Sequence, residues 1–158
     1  MKKKLLKVVI IIVIIVLVIG ILAFVSDKVL NTSDFPRLME NNEFKVENVI
    51  SKYEKNSDIV HAYEATEKDN KYAITYLEFT SNNTATDYFE TEKEALNKTK
   101  DKNAVVNYSA LNDNEKYSIN TDSNHYKTLS KIANTVVYFD VESKYSEEVV
   151  EILNKIGY

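Results

Sequence analysis

From Val8 to Val25 the chain runs for 18 residues without a charged or hydrogen-bonding side chain. No other feature restricts its architecture as tightly. At ~1.5 Å per residue the run spans about 27 Å as a helix, and Leu5 and Leu6 extend it to the thickness of the bilayer hydrocarbon. Its isoleucines and valines favour strands in water, but in lipid every backbone polar group must be satisfied within the segment, which enforces a helix. Lys2, Lys3, Lys4 and Lys7 precede the run, and only Lys28 follows closely. The positive-inside rule then leaves the N-terminus in the cytoplasm and sends the remainder across. The reading divides the chain into a basic cytoplasmic tail (1–7), a transmembrane signal-anchor helix (8–25), a juxtamembrane linker (26–33) and an extracytoplasmic domain (34–158), with the lipid bilayer as partner of residues 8–25. A cleaved signal peptide is the alternative. The apolar run is too long for one, and a cut after Val25 or Ser26 meets no small-x-small pair. Both readings export the domain and place the chain at the cell membrane. The run lacks a GxxxG face, so nothing in it argues for dimerisation through the anchor.

The charge distribution repeats this division. The formal net charge is −4, yet residues 1–25 hold four lysines and no acid, so the rest carries 16 basic and 24 acidic side chains. An exported domain at −8 repels polyanions, which argues against nucleic acid as a partner. With no cysteine there is neither a disulfide framework nor a thiolate site. With only Gly20 and Gly157, glycine-rich phosphate loops and the nucleophile elbow are excluded.

Within the domain, Asp34 and Pro36 open a short helix ending near Asn42, with Phe35, Leu38 and Met39 on one face. Phe44, Val46 and Val49 suggest a strand. Ile59–Lys68 and Lys71–Thr80 form a hairpin across Asp69-Asn70, pairing Ala65 with Ile74, Tyr63 with Tyr76 and His61 with Glu78. One face carries Val60, Ala62, Ala73, Leu77 and Phe79 and reads as core. The other carries His61, Tyr63, Ala65, Tyr72, Ile74, Tyr76 and Glu78 and reads as an aromatic, polar-tipped contact surface. Thr84 caps a helix over 85–100 whose apolar stripe holds Ala85, Tyr88, Phe89 and Leu96. Strands follow at 104–111 and 115–120. A last hairpin joins 126–132 to 135–142 across Ala133-Asn134, with Tyr126, Ile132, Val137, Phe139 and Val141 inward, and with Lys127 opposite Asp140 and His125 opposite Glu142 outward. A helix from Ser143 closes the chain, Gly157 serving as the left-handed residue beyond its end. The expected fold is α+β: one domain with a mainly antiparallel sheet of about seven strands and about three helices, in the order α-βββ-α-ββββ-α, with the helices on one face.

Chemistry is sparse. His61 beside Glu78, flanked by Tyr63 and Tyr76, could serve as a general base, but the pair has no nucleophile or oxyanion device with it, and such pairs are ordinarily cross-strand contacts. Two histidines far apart make a poor zinc set. Asn120, Asp122 and Asn124 fall at positions one, three and five of a calcium loop, but His125 stands where the glycine belongs and Lys131 where the bidentate glutamate belongs, so a polar turn is the better reading. No catalytic residues, metal or cofactors are expected. The 11 tyrosines all lie after the apolar run. Tyrosine is enriched at contact surfaces and also in strands, and 19 lysines against the single Arg37, with 17 asparagines, fit an AT-rich coding bias.

The lysine-rich tail, single anchor, cysteine-free exported domain and terminal Ile156-Gly157-Tyr158 resemble small envelope proteins of low-GC Gram-positive bacteria. The resemblance carries no motif and transfers no site. The expected function is a membrane-anchored, extracytoplasmic, non-enzymatic binding domain of the bacterial cell envelope. Its candidate contact surface is Tyr63, Tyr72 and Tyr76 with His61 and Glu78, and its expected partner is an envelope protein. The alternatives are a carrier or sensor of a small apolar ligand, with a cavity between sheet and helices, and a hydrolase using the His61–Glu78 pair.

Overall fold

The computed structural model describes residues 34–121 and 124–158. The basic tail, the apolar run and the linker lie outside the described residues; among those described, no helix is long and apolar enough to cross a membrane. In chain order the elements are α1 (Asp34–Asn41), β1 (Lys45–Asn48), a 3-10 turn (Ile50–Tyr53), β2 (Ile59–Thr66), β3 (Ala73–Phe79), α2 (Asn82–Thr99), β4 (Val105–Leu111), β5 (Asn114–Asn120), β6 (His125–Ile132), β7 (Thr135–Glu142), a second 3-10 turn (Ser143–Tyr145) and α3 (Ser146–Ile156). The seven strands form one sheet in the order β1-β2-β3-β7-β6-β5-β4, and every neighbouring pair is antiparallel. Two meanders, β1–β3 and β4–β7, meet where β3 pairs with β7. The joint is made by α2, which leaves β3 and carries the chain to the far edge. The second meander then fills the space back towards β3.

Turn chemistry fixes both predicted registers. Asn70 takes φ 57 and Ala133 φ 49, so each turn has a residue in the left-handed region. Ala65 pairs with Ile74, Tyr63 with Tyr76 and His61 with Glu78, and Lys127 pairs with Asp140 and His125 with Glu142. The first hairpin differs at its open end. A register shift between Ile59 and His61 turns Ile59, not Val60, onto the core face; Ile59 is 6% exposed and Val60 41%.

The starts of two helices differ from expectation. Ser81, not Thr84, is the cap of α2: its hydroxyl accepts the Thr84 N–H and the Thr84 hydroxyl accepts the Ser81 N–H, each at 3.2 Å. The last helix starts at Ser146, after the 3-10 turn. Its other end is as expected: Gly157 sits at φ 93, and Tyr158 N–H bonds Leu153 O at 2.8 Å.

The helices do not share one face, which corrects the expected layering. Two apolar cores lie on opposite sides of the sheet. In the first, Phe35 and Met39 of α1 and Val149, Ile152, Leu153 and Ile156 of α3 cover Ala65, Ile74, Tyr76, Val137, Phe139 and Val141. In the second, Ala85, Phe89 and Leu96 of α2 cover Ala62, Leu77, Phe79, Tyr117, Ile119, Leu129 and Val136. The crossover explains it. A helix joining β3 to a distant edge must cross one face, while α1 and α3, outside that crossover, occupy the other. Both faces of the central strands are therefore dry, and the outward face expected for the last hairpin is buried at Leu129 and Val136.

Candidate functional site

The tyrosine face is core, not surface. Phe35 of α1 stacks on Tyr76 with ring centroids 4.7 Å apart, and Tyr63 tilts against both rings at 6.4 Å. Tyr76 is fully buried, Tyr72 nearly so and Tyr63 half-buried. Tyr72 packs between Phe44 and Tyr145, and its hydroxyl donates to Glu148 Oε1 at 2.8 Å. Burial, then that hydrogen bond, pushes its phenol well above its ordinary pKa. The proposed contact surface of Tyr63, Tyr72 and Tyr76 is thus withdrawn: the eight-residue α1 covers Tyr63 and Tyr76, and Phe44, Tyr145 and Glu148 cover Tyr72.

His61 and Glu78 are register partners, but they form no dyad. His61 is exposed, while Glu78 Oε1 accepts from Asn134 Nδ2 at 3.4 Å and Glu78 Oε2 is buried without a hydrogen-bond partner. His125, opposite Glu142 in the ladder, instead bonds Asp140 diagonally. Its Nδ1 lies 2.8 Å from Asp140 Oδ1, and Lys127 Nζ lies 2.8 Å from the other oxygen. Burial pulls the Asp140 carboxyl upward, but hydrogen bonds from Lys127 and His125 outweigh it and hold the group below its ordinary range. Glu142 pairs with Lys144. The two histidines stand at opposite ends and on opposite faces of the sheet. Among the described residues no cluster of His, Asp and Glu could hold a metal ion. Thr121 accepts the His125 N–H at 3.1 Å and Asn124 takes φ 62, which is turn geometry; Asp122 of the calcium-loop reading lies outside the described residues.

The clefts are open and shallow. One of about 250 Å³ lies between α1, the β2–β3 turn and α3, lined by Glu43, Lys68, Glu148, Glu151 and Lys155. Another of about 260 Å³ flanks the start of α2 at Asp58, Phe79 and Tyr88. Both fall below the ~300–1,000 Å³ usual for small-molecule pockets.

One region stands apart, the β4 end of the sheet. Among the described residues, three of the four large exposed apolar side chains lie on β4: Val105 (60%), Tyr108 (52%) and Leu111 (73%). Asn103 to Asn112 is the longest uncharged run after residue 33, bounded by Lys102 and Asp113. The opposite edge is different: β1 has four residues, two of them charged. A groove of about 220 Å³ adjoins β4 on the α3 side, lined by Ser109, Leu111, Lys116, Ile132 and Tyr158. Deeper along this face the sheet turns polar, with buried Ser118, Thr128 and Ser130, and Thr128 Oγ1 has no hydrogen-bond partner.

Tyr108 is held firmly in place. Its hydroxyl donates to Glu115 Oε2 at 2.8 Å, and Lys93 Nζ sits 4.7 Å from its ring centre. The bond to Glu115, with a smaller contribution from burial, pushes its phenol up to about 12. Beneath it, Glu115 lies 3.6 Å from Lys131 Nζ, a lysine 2% exposed that also donates to Asp113 O at 3.0 Å. A buried ion pair thus anchors an exposed aromatic. The sequence signal for this surface was the uncharged run; the expected strand at 104–111 did not reveal that β4 would be an edge.

No protein-family model matches the chain, and comparison with curated proteins and with solved structures gives no match.

Proposed function

We propose that the chain is a membrane-tethered, non-enzymatic interaction protein of the bacterial cell envelope. Residues 1–7 stay in the cytoplasm, residues 8–25 cross the bilayer, and residues 34–158 form the binding domain outside. The contact surface is the β4 end of the sheet, in place of the roofed tyrosine face. The observation that supports this reading is the contrast between the two edges. A long, uncharged, apolar edge strand is an association hazard that folded proteins ordinarily blunt with charge, proline or a covering loop. At β1 the edge is short and charged; at β4 it is neither. Exposed valine, tyrosine and leucine on a rigid edge, with Tyr108 pinned by Glu115 and Lys93, form a pre-ordered surface that loses little entropy on binding.

The test is photo-crosslinking of the full chain in its own membranes. A photoreactive phenylalanine replaces Tyr108 or Leu111 in one set, and Glu94 on the solvent side of α2 in a control. Protein adducts at the two β4 positions and not at 94 are expected. A β4 end that yields no more adduct than position 94 refutes the reading. Because the chain has no cysteine, Ser109→Cys and Lys4→Cys also report topology: an impermeant maleimide should label the first in intact cells and not the second.

A further inference from the structure

We infer that the partner of the β4 edge is a second copy of this chain, added as an antiparallel β4–β4 pair that joins two seven-stranded sheets. The inference rests on the reading of β4 as the contact surface and names its occupant.

The hydrogen-bond phase comes first. Phe79 N–H bonds Asn134 O and Thr121 N–H bonds His125 O, each at 2.8 Å. Carried through the registers, these two bonds orient alternate residues across the whole sheet. On β4 they turn the N–H and C=O groups of Val105, Asn107, Ser109 and Leu111 towards β5. Those of Val106, Tyr108 and Ala110 point outward. Three donors and three acceptors therefore line the free edge, centred on Tyr108. An antiparallel second copy with Tyr108 opposite Tyr108 satisfies all six. Residue 106 of each strand faces residue 110 of the other, and the two-fold axis passes through the central pair.

The same register brings the exposed apolar side chains together. Val105 stands opposite Leu111 of the second copy, twice by symmetry, so the two most exposed apolar residues of the domain cover each other. Charge selects the antiparallel sense. Lys100, Asp101 and Lys102 lead into β4 with one excess positive charge, and Asp113 follows it with a negative one. Antiparallel addition lays the basic entry of one strand beside the acidic exit of the other. Parallel addition would oppose like with like. Elsewhere the domain is acidic, so the uncharged edge is where two copies approach with least repulsion. A single strand pair buries less than the ~1,200–2,000 Å² of a stable interface, so the contact is weak and reversible in solution and is strengthened where copies share one membrane.

The test uses the full chain in lipid nanodiscs and in membranes. A Tyr108→Cys variant carries the only thiol, and at an antiparallel hydrogen-bonded pair the two Cα atoms sit ~5.5 Å apart, within disulfide range. Mild oxidation should yield a covalent dimer, and Val60→Cys, also exposed but at the other end of the ladder, should not. Ala110→Pro removes one outward N–H per chain, a change an edge strand tolerates, and should weaken self-association about tenfold or more while far-UV circular dichroism and the unfolding midpoint hold. Should that variant lose its fold, Ala110→Lys, whose added charge can reach Glu115 within its own domain, provides the same test. Dimers that persist in Ala110→Pro at unchanged yield, or a Tyr108→Cys chain that crosslinks no faster than Val60→Cys, overturn the inference. Photo-adducts at Tyr108 to a different protein overturn it while leaving the contact surface standing. Absence of any adduct removes both.

Discussion

Replacing Lys131 with methionine tests whether the β4 end is pre-ordered by its buried ion pair. The Lys131 side chain is 2% exposed, and its ammonium donates to Asp113 O at 3.0 Å and lies 3.6 Å from Glu115 Oε1, whose side chain is 14% exposed. Removing one member of such a pair strands the other in a poorly solvated site, a loss of about 3–5 kcal/mol where the remaining charge has no other partner. Glu115 does have one, since it accepts from Tyr108 at 2.8 Å. That places the expected loss for Lys131→Met below this range, at about 2–3 kcal/mol, or a fall in unfolding midpoint of roughly 8–12 °C for a domain of this size. The double variant Lys131→Met/Glu115→Met has no stranded charge and should recover at least half of the loss. Urea unfolding of the full chain, followed by tyrosine fluorescence in the absence of tryptophan, measures the cycle. A loss below about 0.5 kcal/mol in the single variant, or the same loss whether or not Glu115 is present, refutes the argument, because either result means that the pair is hydrated and uncoupled.

Three further outcomes follow from the geometry. Phe35→Ala should destabilise by about 3–5 kcal/mol in the same assay and raise the quenching of tyrosine by acrylamide, since Phe35 is fully buried against Tyr76 and its loss opens the roof over the tyrosine face. Asp140 is held below its ordinary value of 3.8, so its contribution is complete above that value and is lost as pH falls through the lowered one. Asp140→Asn should therefore flatten the acid limb of a stability–pH curve while making the protein less stable at neutral pH, and a limb of unchanged slope would exclude the His125–Asp140–Lys127 contacts as its cause. Gly157→Ala should cost about 1–2 kcal/mol by urea titration, because φ 93 is strained for a residue with a Cβ; a neutral effect would mean that the end of α3 is not held.

Local chemistry made much of the fold legible. The Asp69-Asn70 and Ala133-Asn134 turns specify two-residue-offset registers, and each pairing read from them is present. Gly157 ends its helix because the left-handed region excludes most other residues. Reading Tyr63, Tyr72 and Tyr76 as an exposed surface failed for a definable reason. Period-two alternation shows that two faces differ, not which of them meets water, and tyrosine suits either setting because its hydroxyl needs only one partner, such as Glu148 for Tyr72. Val60 was misplaced because a bulge leaves no clear mark in a run of alternating apolar residues.

The helical and strand segments, their order, two hairpin registers and an apolar run long enough to span a bilayer are all legible locally, since each depends on residues close along the chain. Tertiary structure decided the rest. The path of α2 across one face leaves the other to α1 and α3 and sends the uncharged 103–112 segment to an edge, and the docking of α1 on that second face covers Tyr63 and Tyr76 with Phe35. Whether a strand becomes an edge is settled by where a crossover lands, a long-range contact that no local pattern encodes.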